Sequence, residues 1–188
     1  MRVDYGIIMA RGDSARMGSP KGACLFQGKS LLELSCSVFN GLDIPVVIVT
    51  TPSLLKKYKN LVCNCSWLLH PDGQGTARTC KFAYDDLSEQ VTHFWLMPLG
   101  LPSVKTETVK LIQQKSINNP DCIIVPFYKE QRGHPVVMPV DSFKNVDEKL
   151  WQLEMRDVIE SSTCDVINLQ VDDCGIIEDC DTQSDLEK

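Results

Sequence analysis

The sequence has 188 residues, of which 43% are hydrophobic and 23% are charged, and its formal net charge is −6. This size and composition are typical of one soluble globular domain, so we predict a single domain over residues 1–188. The net negative charge argues against nucleic acid and against an anionic membrane surface as partners, because both select a basic face.

The N-terminal sequence and the cysteines favour an intracellular protein. The first residues lack the apolar stretch and the cleavage site of a signal peptide, and no apolar run reaches the ~20 residues that cross a bilayer. The nine cysteines are scattered, and only Cys63 and Cys65 stand close together. This spacing favours free thiols over a disulfide framework, with a metal or redox site as the alternative. We therefore expect a cytoplasmic location.

The first half of the chain alternates short apolar runs with helical patterns. Continuous apolar runs predict strands at Tyr5–Ala10, Pro45–Thr50 and Ser66–His70. Apolar residues at helical spacing predict helices at Ser30–Asn40, Ser53–Asn60 and Thr76–Glu89. Ser30 is a residue type that caps helix N-termini, and it stands where the first of these helices begins.

The second half of the chain continues this alternation. Apolar runs predict strands at His93–Leu99, Asp121–Tyr128, His134–Val140 and Cys164–Val171. Helical spacing predicts helices at Thr106–Ser116 and Asp147–Ser161, of which the second is expected to be the longest in the chain.

The order of these elements predicts an α/β fold. Apolar strands that alternate with helices form a mostly parallel sheet with helices on both faces, which is the three-layer α/β/α, Rossmann-like arrangement. The strands on either side of Arg132 and Gly133 are joined too tightly for a crossover, so we predict an antiparallel strand or a β-ribbon late in the chain. Because ligands of such sheets bind at the carboxyl ends of the strands, the loops there are the places to look for chemistry.

The loop after the first predicted strand combines features of a phosphate-binding site. This first loop, residues 10–21, reads ARGDSARMGSPK. Its glycines allow close backbone approach, while Ser14 and backbone amides can donate hydrogen bonds to anionic oxygens. Arg16 and Lys21 add positive charge. Neither the Walker A pattern nor the Gly-x-Gly-x-x-Gly pattern is present, so a solvated loop with ordinary surface charges is the alternative.

The first loop resembles the signature of the MobA-like nucleotidyltransferases, roughly Leu-Ala-Ala/Gly-Gly-x-Ser-x-Arg-Met-Gly-x-x-Lys. The chain matches this signature at Met9, Ala10, Gly12, Ser14, Arg16, Met17, Gly18 and Lys21. The resemblance implies a nucleotide-diphospho-sugar transferase fold and, with Mg²⁺, transfer of a nucleoside monophosphate from an NTP to a phosphate acceptor. It implies that Arg16 and Lys21 are catalytic. The first-loop residues that it implies for nucleotide binding are Ala10, Arg11, Gly12, Asp13, Ser14 and Gly18.

Later stretches extend the resemblance from about residue 4 to residue 185. The sequence RGHPVVM at 132–138 resembles a segment of the molybdopterin cytidylyltransferase branch, which implies that Arg132, Gly133 and His134 bind the acceptor. A hydrogen-bonded turn residue is the alternative for His134. Residues 70–84 resemble the base-recognition loop and the helix after it, which implies that Gly75 and Thr79 bind the nucleotide.

The C-terminal sequence GIIEDCDTQSD at 175–185 resembles the acidic motif that ends that branch. The resemblance implies that Asp179 and Asp181 hold the Mg²⁺ ion. Residues i and i+2 of an extended stretch point to the same face, so this pair can share one ion. The alternative is that both carboxylates cap a terminal helix that begins near Thr182.

The chain departs from the family pattern at two positions. Gly100 stands where the family places an Asp that ligates Mg²⁺ after the fourth strand, and glycine has no side-chain oxygen with which to bind a metal. Arg11 stands where the family usually has a small residue. These departures bear on catalysis and leave the predicted fold unchanged.

Three functions are compatible with the resemblance. The first is an Mg²⁺-dependent nucleotidyltransferase of the molybdenum-cofactor type, which uses CTP or GTP and a phosphate-bearing acceptor such as molybdopterin and releases pyrophosphate. The second is a family member that has lost turnover and binds a nucleotide or cofactor for delivery to a molybdoenzyme. The third is a sugar-phosphate or alcohol-phosphate nucleotidyltransferase. The RGHP sequence favours the first over the third, and Gly100 favours the second over the first.

Overall fold

A computed structural model of the chain describes residues 1–11, 17–70 and 75–187. Its strands are β1 (Asp4–Met9), β2 (Leu25–Phe26), β3 (Lys29–Ser30), β4 (Val46–Thr50), β5 (Cys65–Leu69), β6 (His93–Pro98), β7 (Ile123–Tyr128), β8 (Gln131–Arg132), β9 (Val136–Pro139) and β10 (Val166–Gln170). Its α-helices are α1 (Leu31–Ser37), α2 (Pro52–Tyr58), α3 (Thr76–Leu87), α4 (Thr106–Asn118) and α5 (Met155–Ser161). Within these described ranges, no helix is long and apolar enough to cross a membrane.

One mixed sheet forms the centre of the molecule. Its strand order is β10–β7–β9–β6–β1–β4–β5, and β8 pairs with β7. The β1, β4, β5 and β6 strands are parallel to their neighbours in that group, and β10 is parallel to β7. Only β9 runs antiparallel to both of its described neighbours, β6 and β7. The mostly parallel sheet and the late antiparallel strand are therefore confirmed.

The two faces of the sheet bury separate apolar clusters. Ile8 and Trp95 lie in one cluster with α1 and α4, whereas Ile7 and Phe94 lie in the other with α3 and α5. This division follows from strand geometry, because successive side chains of a strand point to opposite faces. Full burial of such a side chain contributes about 1.5–3 kcal/mol, so both helical layers are held firmly on the sheet.

The predicted start of α1 is confirmed by its capping geometry. The backbone N–H of Ser30 donates to Glu33 Oε2 at 2.8 Å, and the backbone N–H of Glu33 donates to Ser30 Oγ at 3.2 Å. This reciprocal pair is a capping box.

The predicted long helix at Asp147–Ser161 is wrong. The chain forms a 3-10 turn at Leu150–Gln152, then an extended stretch, and only then α5. Trp151 is buried and stacks on Phe143 with ring centroids 5.7 Å apart. Glu154 and Asp157 form a capping box that starts a new helix. Packing of the indole ring and this second cap together interrupt the helical pattern.

All nine cysteines are described, and none of them forms a disulfide. The described residues also contain no group of three or more His, Cys, Asp or Glu side chains placed to hold a metal ion. The prediction of free thiols is confirmed.

Candidate functional site

The carboxyl ends of β1 and β6 form the base of the candidate site. The two strands pair in parallel up to Met9 and Pro98. Arg11 and Gly100 each lie two residues beyond this last pair. The two positions at which the sequence departs from the family pattern therefore follow neighbouring strand ends.

Ala10, the first of the predicted nucleotide-binding residues, is fully buried. Its amide donates to the Val49 carbonyl at 2.9 Å, and its carbonyl accepts from the Thr50 hydroxyl at 2.7 Å. Because the amide is bonded within the sheet, Ala10 supports the first loop and offers no donor to a ligand. Four other predicted residues of the first loop lie outside the described residues: Gly12, Asp13, Ser14 and Arg16.

The described part of the first loop resumes at Met17, whose side chain packs in the core. Gly18 follows with φ +67° and open space around it, a conformation that glycine adopts at little cost. The loop then enters a 3-10 turn at Lys21–Ala23. In this turn the amide of Gly22 donates to the Tyr58 hydroxyl at 3.2 Å. These contacts fix the turn, so its first residue, Lys21, is held in a defined place.

Lys21 joins the two C-terminal aspartates in what we call the Lys–Asp cluster (Lys21, Asp179 and Asp181). The Nζ atom of Lys21 lies 2.6 Å from Asp179 Oδ1 and 2.8 Å from Asp181 Oδ1. The lysine side chain is 9% exposed, whereas the two aspartate side chains are about half exposed, at 41% and 49%. The structure thus brings together three predicted site residues that are about 160 positions apart in the sequence.

The electrostatics of the Lys–Asp cluster keep the lysine charged. Burial by itself lowers the pKa of Lys21, but the hydrogen bonds and charges of Asp179 and Asp181 outweigh it, and the pKa is raised. Burial raises the pKa of Asp179, and the nearby Lys21 offsets this only in part. The raised pKa keeps Lys21 protonated, and its ammonium group donates to both aspartate side chains.

The alternative that Asp179 and Asp181 cap the terminal helix is wrong, because the carboxylate of Asp185 makes the capping contacts. Asp185 Oδ2 accepts from the backbone N–H groups of Asp181 at 3.1 Å and Thr182 at 2.9 Å. A 3-10 turn follows at Gln183–Glu187. The two predicted metal ligands point their carboxylates at Lys21 instead.

Gly100 lies against the Lys–Asp cluster, two residues beyond the end of β6. Its φ is +127°, a backbone conformation that residues with a Cβ rarely adopt. A Cβ atom at this position would overlap the Nζ atom of Lys21 and a carboxylate oxygen of Asp179. The carbonyl of Gly100 also accepts from the amide of Cys180 at 2.8 Å. The space next to the glycine is thus occupied by the cluster itself.

The donor set at this place does not fit a divalent cation. Mg²⁺ takes oxygen ligands at about 2.0–2.1 Å in a near-octahedral arrangement. The described residues supply two carboxylates here, and the ammonium of Lys21, hydrogen-bonded to both, occupies the point that an ion shared by them would take. Gly100 adds no side-chain oxygen and leaves no room for one. We therefore derive no catalytic step through a metal ion.

The start of α3 lies beside Arg11. Gly75 precedes the helix with φ +56°, and the buried Thr79 hydroxyl donates back to the Gly75 carbonyl at 2.9 Å. Arg11 Nη1 donates to the same hydroxyl at 2.5 Å. Three predicted nucleotide-binding residues thus form one hydrogen-bonded unit, although the sequence alone did not indicate that they touch. The arginine joins the end of β1 to the first turn of α3.

A cavity of about 490 Å³ opens next to these strand ends. The three predicted acceptor-binding residues, Arg132, Gly133 and His134, all line it. Its walls are otherwise largely apolar, with the remaining lining residues being Met9, Thr76, Leu96, Val125, Val136, Glu154, Met155, Arg156, Asp157 and Ile159. We call this space the α5 cavity, because the start of α5 supplies one wall.

The charged residues of α5 in this wall were missed by sequence reasoning. Glu154 and Asp157 have the three-residue spacing of a capping box, which could have placed the helix start there. Arg156 lies between them and adds a cation to the cavity lining. The missed signal was obscured by the continuous helix that the sequence predicts over this region.

His134 is neutral at the wall of the α5 cavity. Burial lowers the pKa of His134 to about 4, and the contact of Nδ1 with the Leu96 carbonyl at 3.4 Å raises it only slightly. Arg132 supplies the positive charge of this wall. Its Nε donates to Asn168 Oδ1 at 3.0 Å, and Nη1 lies 4.0 Å from Glu160.

The stretch that follows β10, residues 171–181, connects the α5 cavity with the Lys–Asp cluster. We call it the C-terminal segment. The amide of His134 donates to the Ile176 carbonyl at 3.0 Å, and Gly133 approaches the same residue so closely that a Cβ would overlap it. Five residues after Ile176 the segment reaches Asp181, the second aspartate of the cluster.

Asp173 anchors the C-terminal segment, and sequence reasoning missed it. Its carboxylate is 1% exposed and accepts from the Lys105 amide at 2.9 Å, the Thr108 hydroxyl at 2.7 Å and the Gly175 amide at 3.0 Å. Lys105 and Thr108 lie at the start of α4, so Asp173 caps that helix from a distance. No local motif marks the contacts with α4, because Lys105 and Thr108 are 68 and 65 positions away.

Comparison with solved structures finds the same fold in other proteins. Rv0371c from Mycobacterium tuberculosis H37Rv is 20% identical, with a TM-score of 0.79 over 99% of this chain and 96% of that chain. The same protein has been solved in complex with manganese, at a TM-score of 0.75 over 98% and 96% of the two chains. Likeness at this level of identity shows the fold alone.

Two further structures share the fold. Molybdopterin-guanine dinucleotide biosynthesis protein A from Archaeoglobus fulgidus is 13% identical, with a TM-score of 0.73 over 97% of this chain and 95% of that chain. CMP:2-keto-3-deoxy-manno-octonic acid synthetase, solved with CTP, is 10% identical, with a TM-score of 0.71 over 98% and 95%. A search of curated proteins found no match.

A family model described as MobA-like NTP transferase domain matches residues 6–166, which is most of the chain. This match spans the first loop, Gly100 and the wall of the α5 cavity at residues 132–134. The chain belongs to the MobA-like NTP transferase domain family.

Proposed function

We propose that this protein binds CTP or GTP at the first loop and transfers its nucleotidyl group to a phosphate-bearing acceptor of the molybdopterin type. In this reaction an oxygen of the acceptor phosphate attacks the α-phosphorus, a new P–O bond forms, and the bond to the β-phosphate breaks. Pyrophosphate leaves, and the acceptor gains a diphosphate linkage. We propose the cytoplasm as its location, and a molybdoenzyme as the destination of the product.

The observation that carries this proposal is the C-terminal segment, which touches both halves of the site. Through Ile176 it contacts His134 at the α5 cavity, and through Asp179 and Asp181 it contacts Lys21. A cation for phosphate oxygens and a cavity for a second substrate are thus held in one fixed relation. Transfer between two anions depends chiefly on such positioning and on charge neutralisation.

Lys21 is the residue that we assign to the phosphates. An ammonium group has three N–H donors, and two of them are used by Asp179 and Asp181. The third is left for a phosphate oxygen, and the two carboxylates fix its direction. Arg16 and the remaining first-loop residues of the family signature are proposed to complete the nucleotide site.

The α5 cavity is assigned to the acceptor. Its volume of about 490 Å³ is within the range of about 300–1,000 Å³ of small-molecule sites. Arg132 and Arg156 offer positive charge for the acceptor phosphate, and the apolar walls suit a ring system. His134, which is neutral, contributes hydrogen bonding rather than charge.

The test is pyrophosphate release by the full chain with CTP or GTP and molybdopterin, in buffer with Mg²⁺ and in buffer with EDTA. We expect release from one of the nucleotides, and we expect its loss in Lys21→Gln. Lys110→Gln is the matched control, because Lys110 is an exposed lysine of α4. If Lys21→Gln released pyrophosphate as fast as Lys110→Gln, the role of Lys21 would be refuted.

Gly100 favours a second candidate function, a family member without turnover that binds the nucleotide or cofactor and delivers it. A missing carboxylate at the reacting phosphates lowers transition-state stabilisation, whereas nucleotide binding can rest on amides and cations. Calorimetric titration separates the two candidates. Binding of CTP or GTP without pyrophosphate release in either buffer supports the binder, and release supports the transferase.

A further inference from the structure

We propose that Lys21 holds the place of a divalent cation in this protein, so that Asp179 and Asp181 bind no metal ion and the nucleotide binds without one. The part of this inference that concerns the nucleotide rests on the proposed function. The part that concerns the carboxylates does not, and it is tested on the protein alone.

The first step of the argument is the position of the ammonium group. Lys21 Nζ lies 2.6 and 2.8 Å from one oxygen of each carboxylate. This is the point between two ligands at which an ion shared by both would sit. The ammonium is largely buried and carries one positive charge, so a divalent cation would have to displace it from a strong pair of charge-assisted hydrogen bonds.

The second step is the absence of further ligands around that point. Across the ranges that the structure describes, no three His, Cys, Asp or Glu side chains are placed to hold an ion. Gly100, two residues beyond the end of β6, lies beside the cluster, and a Cβ there would overlap Lys21 and Asp179. The lysine and the glycine are therefore complementary: the lysine fills the volume that a third side-chain ligand would need.

The third step is the charge at the strand ends. Relative to the family pattern, Gly100 removes one negative charge and Arg11 adds one positive charge, which together make this region more positive by two charges. Two is the charge of one divalent cation. Both positions lie two residues beyond the last pair of β1 and β6. Arg11 is also held in place, because its Nη1 donates to Thr79. The two departures thus make the carboxyl ends of β1 and β6 more positive, which opposes the binding of a divalent cation there.

The direct test is a titration of the nucleotide-free full chain with Mn²⁺. Electron paramagnetic resonance measures the concentration of the free ion at each step. We expect the wild type and Asp179→Asn to bind the same amount of Mn²⁺, because Asp179 holds no ion in the wild type. We expect Lys21→Met, which frees both carboxylates, to gain one site, and the double variant with Asp179→Asn to lose it. The gained site should be at least about tenfold tighter than any site of the wild type.

Three results of this titration would overturn the assignment. One is a Mn²⁺ site in the wild type that Asp179→Asn removes. Another is a folded Lys21→Met that gains no site. A third is Lys21→Arg gaining the same site as Lys21→Met, because arginine keeps the charge. If Lys21→Met did not fold, the comparison of the wild type with Asp179→Asn would still decide.

A second measurement tests the nucleotide part. Calorimetric titration with CTP and GTP in EDTA should give an affinity within about threefold of that in Mg²⁺. A loss of more than about tenfold in EDTA would overturn the claim that the nucleotide binds without a metal. If neither nucleotide bound in either buffer, the proposed function and this metal-free binding would both fail, while the Mn²⁺ titration would still decide the role of Lys21.

Discussion

Asp173 is predicted to be the most sensitive single position of the C-terminal segment. Replacing it with alanine removes the acceptor of three hydrogen bonds at once, from the Lys105 amide, the Thr108 hydroxyl and the Gly175 amide. The carboxylate is 1% exposed, so water does not reach these donors without local rearrangement. Two elements are affected, because the donors belong to the start of α4 and to the segment itself.

The size of the effect follows from these contacts. A hydrogen bond to a charged group contributes about 1.5–3 kcal/mol. The Thr108 hydroxyl can rotate toward another acceptor, so the two backbone N–H groups dominate, and we expect Asp173→Ala to cost about 3–5 kcal/mol. For a domain of this size such a loss lowers the melting temperature by on the order of 10 °C. That is a large share of a total stability of about 5–15 kcal/mol.

Urea and thermal unfolding, followed by circular dichroism, measure this loss. Asp172→Ala is the matched control, because the neighbouring carboxylate is exposed and surface changes of this kind stay within about 0.5 kcal/mol. Asp173→Asn, which keeps one acceptor oxygen, should fall between the two. The reasoning is refuted if Asp173→Ala unfolds within about 1 kcal/mol of the wild type, or if Asp172→Ala costs as much.

Three other predictions concern stability and acceptor binding. Gly100→Ala should lower the free energy of unfolding in urea by about 2–4 kcal/mol, because of its φ of +127° and because the new Cβ would overlap Lys21. The control Gly41→Ala, at φ +79° in open space, should cost only about 1–2 kcal/mol. Equal losses in the two variants would contradict the overlap argument. Gly133→Ala should raise the KM for the acceptor and cost about 1–3 kcal/mol, because its Cβ would meet Ile176, and an unchanged KM would argue against a fixed cavity wall. Stability should fall by roughly 2 kcal/mol between pH 7 and pH 5, because the unfolded His134 takes up a proton below its ordinary pKa of 6.5 while the folded one stays neutral down to about 4. His134→Gln should remove this contribution from the pH profile of urea unfolding, and a wild-type profile that is already flat would rule the effect out.

The strands of the sheet were predictable from the sequence except for β8, and one helix was not. Buried parallel strands are continuous apolar runs, and β4 lies inside the run predicted at Pro45–Thr50. The prediction of a helix at Asp147–Ser161 was wrong because the local pattern of apolar residues contains no information about the tertiary contacts of Trp151. Trp151 stacks on Phe143, and this tertiary contact outweighs local helix propensity.

For the candidate site, residue types were predictable and contacts were not. Lys21, Asp179 and Asp181 were each predicted, yet their mutual hydrogen bonds join residues about 160 positions apart. The Arg11–Thr79 contact likewise depends on how the end of β1 meets α3. Such pairings are set by the sheet order, which local sequence patterns do not contain. The contacts of Asp173 with α4 were missed for the same reason, whereas the position of Arg156 was missed because a continuous helix was predicted there.

The C-terminal segment also predicts how substitutions combine. It is attached at Asp173 to α4, at Ile176 to the wall of the α5 cavity, and at Asp179 and Asp181 to Lys21. Releasing one attachment changes the geometry of the others, so Asp173→Ala and Lys21→Gln should be non-additive in nucleotide affinity, with a coupling of about 0.5–3 kcal/mol. Lys110→Gln replaces Lys21→Gln in the control cycle and should combine additively with Asp173→Ala. Additive behaviour in both cycles would mean that the segment is held in place without Asp173, and that the cation and the cavity are positioned independently.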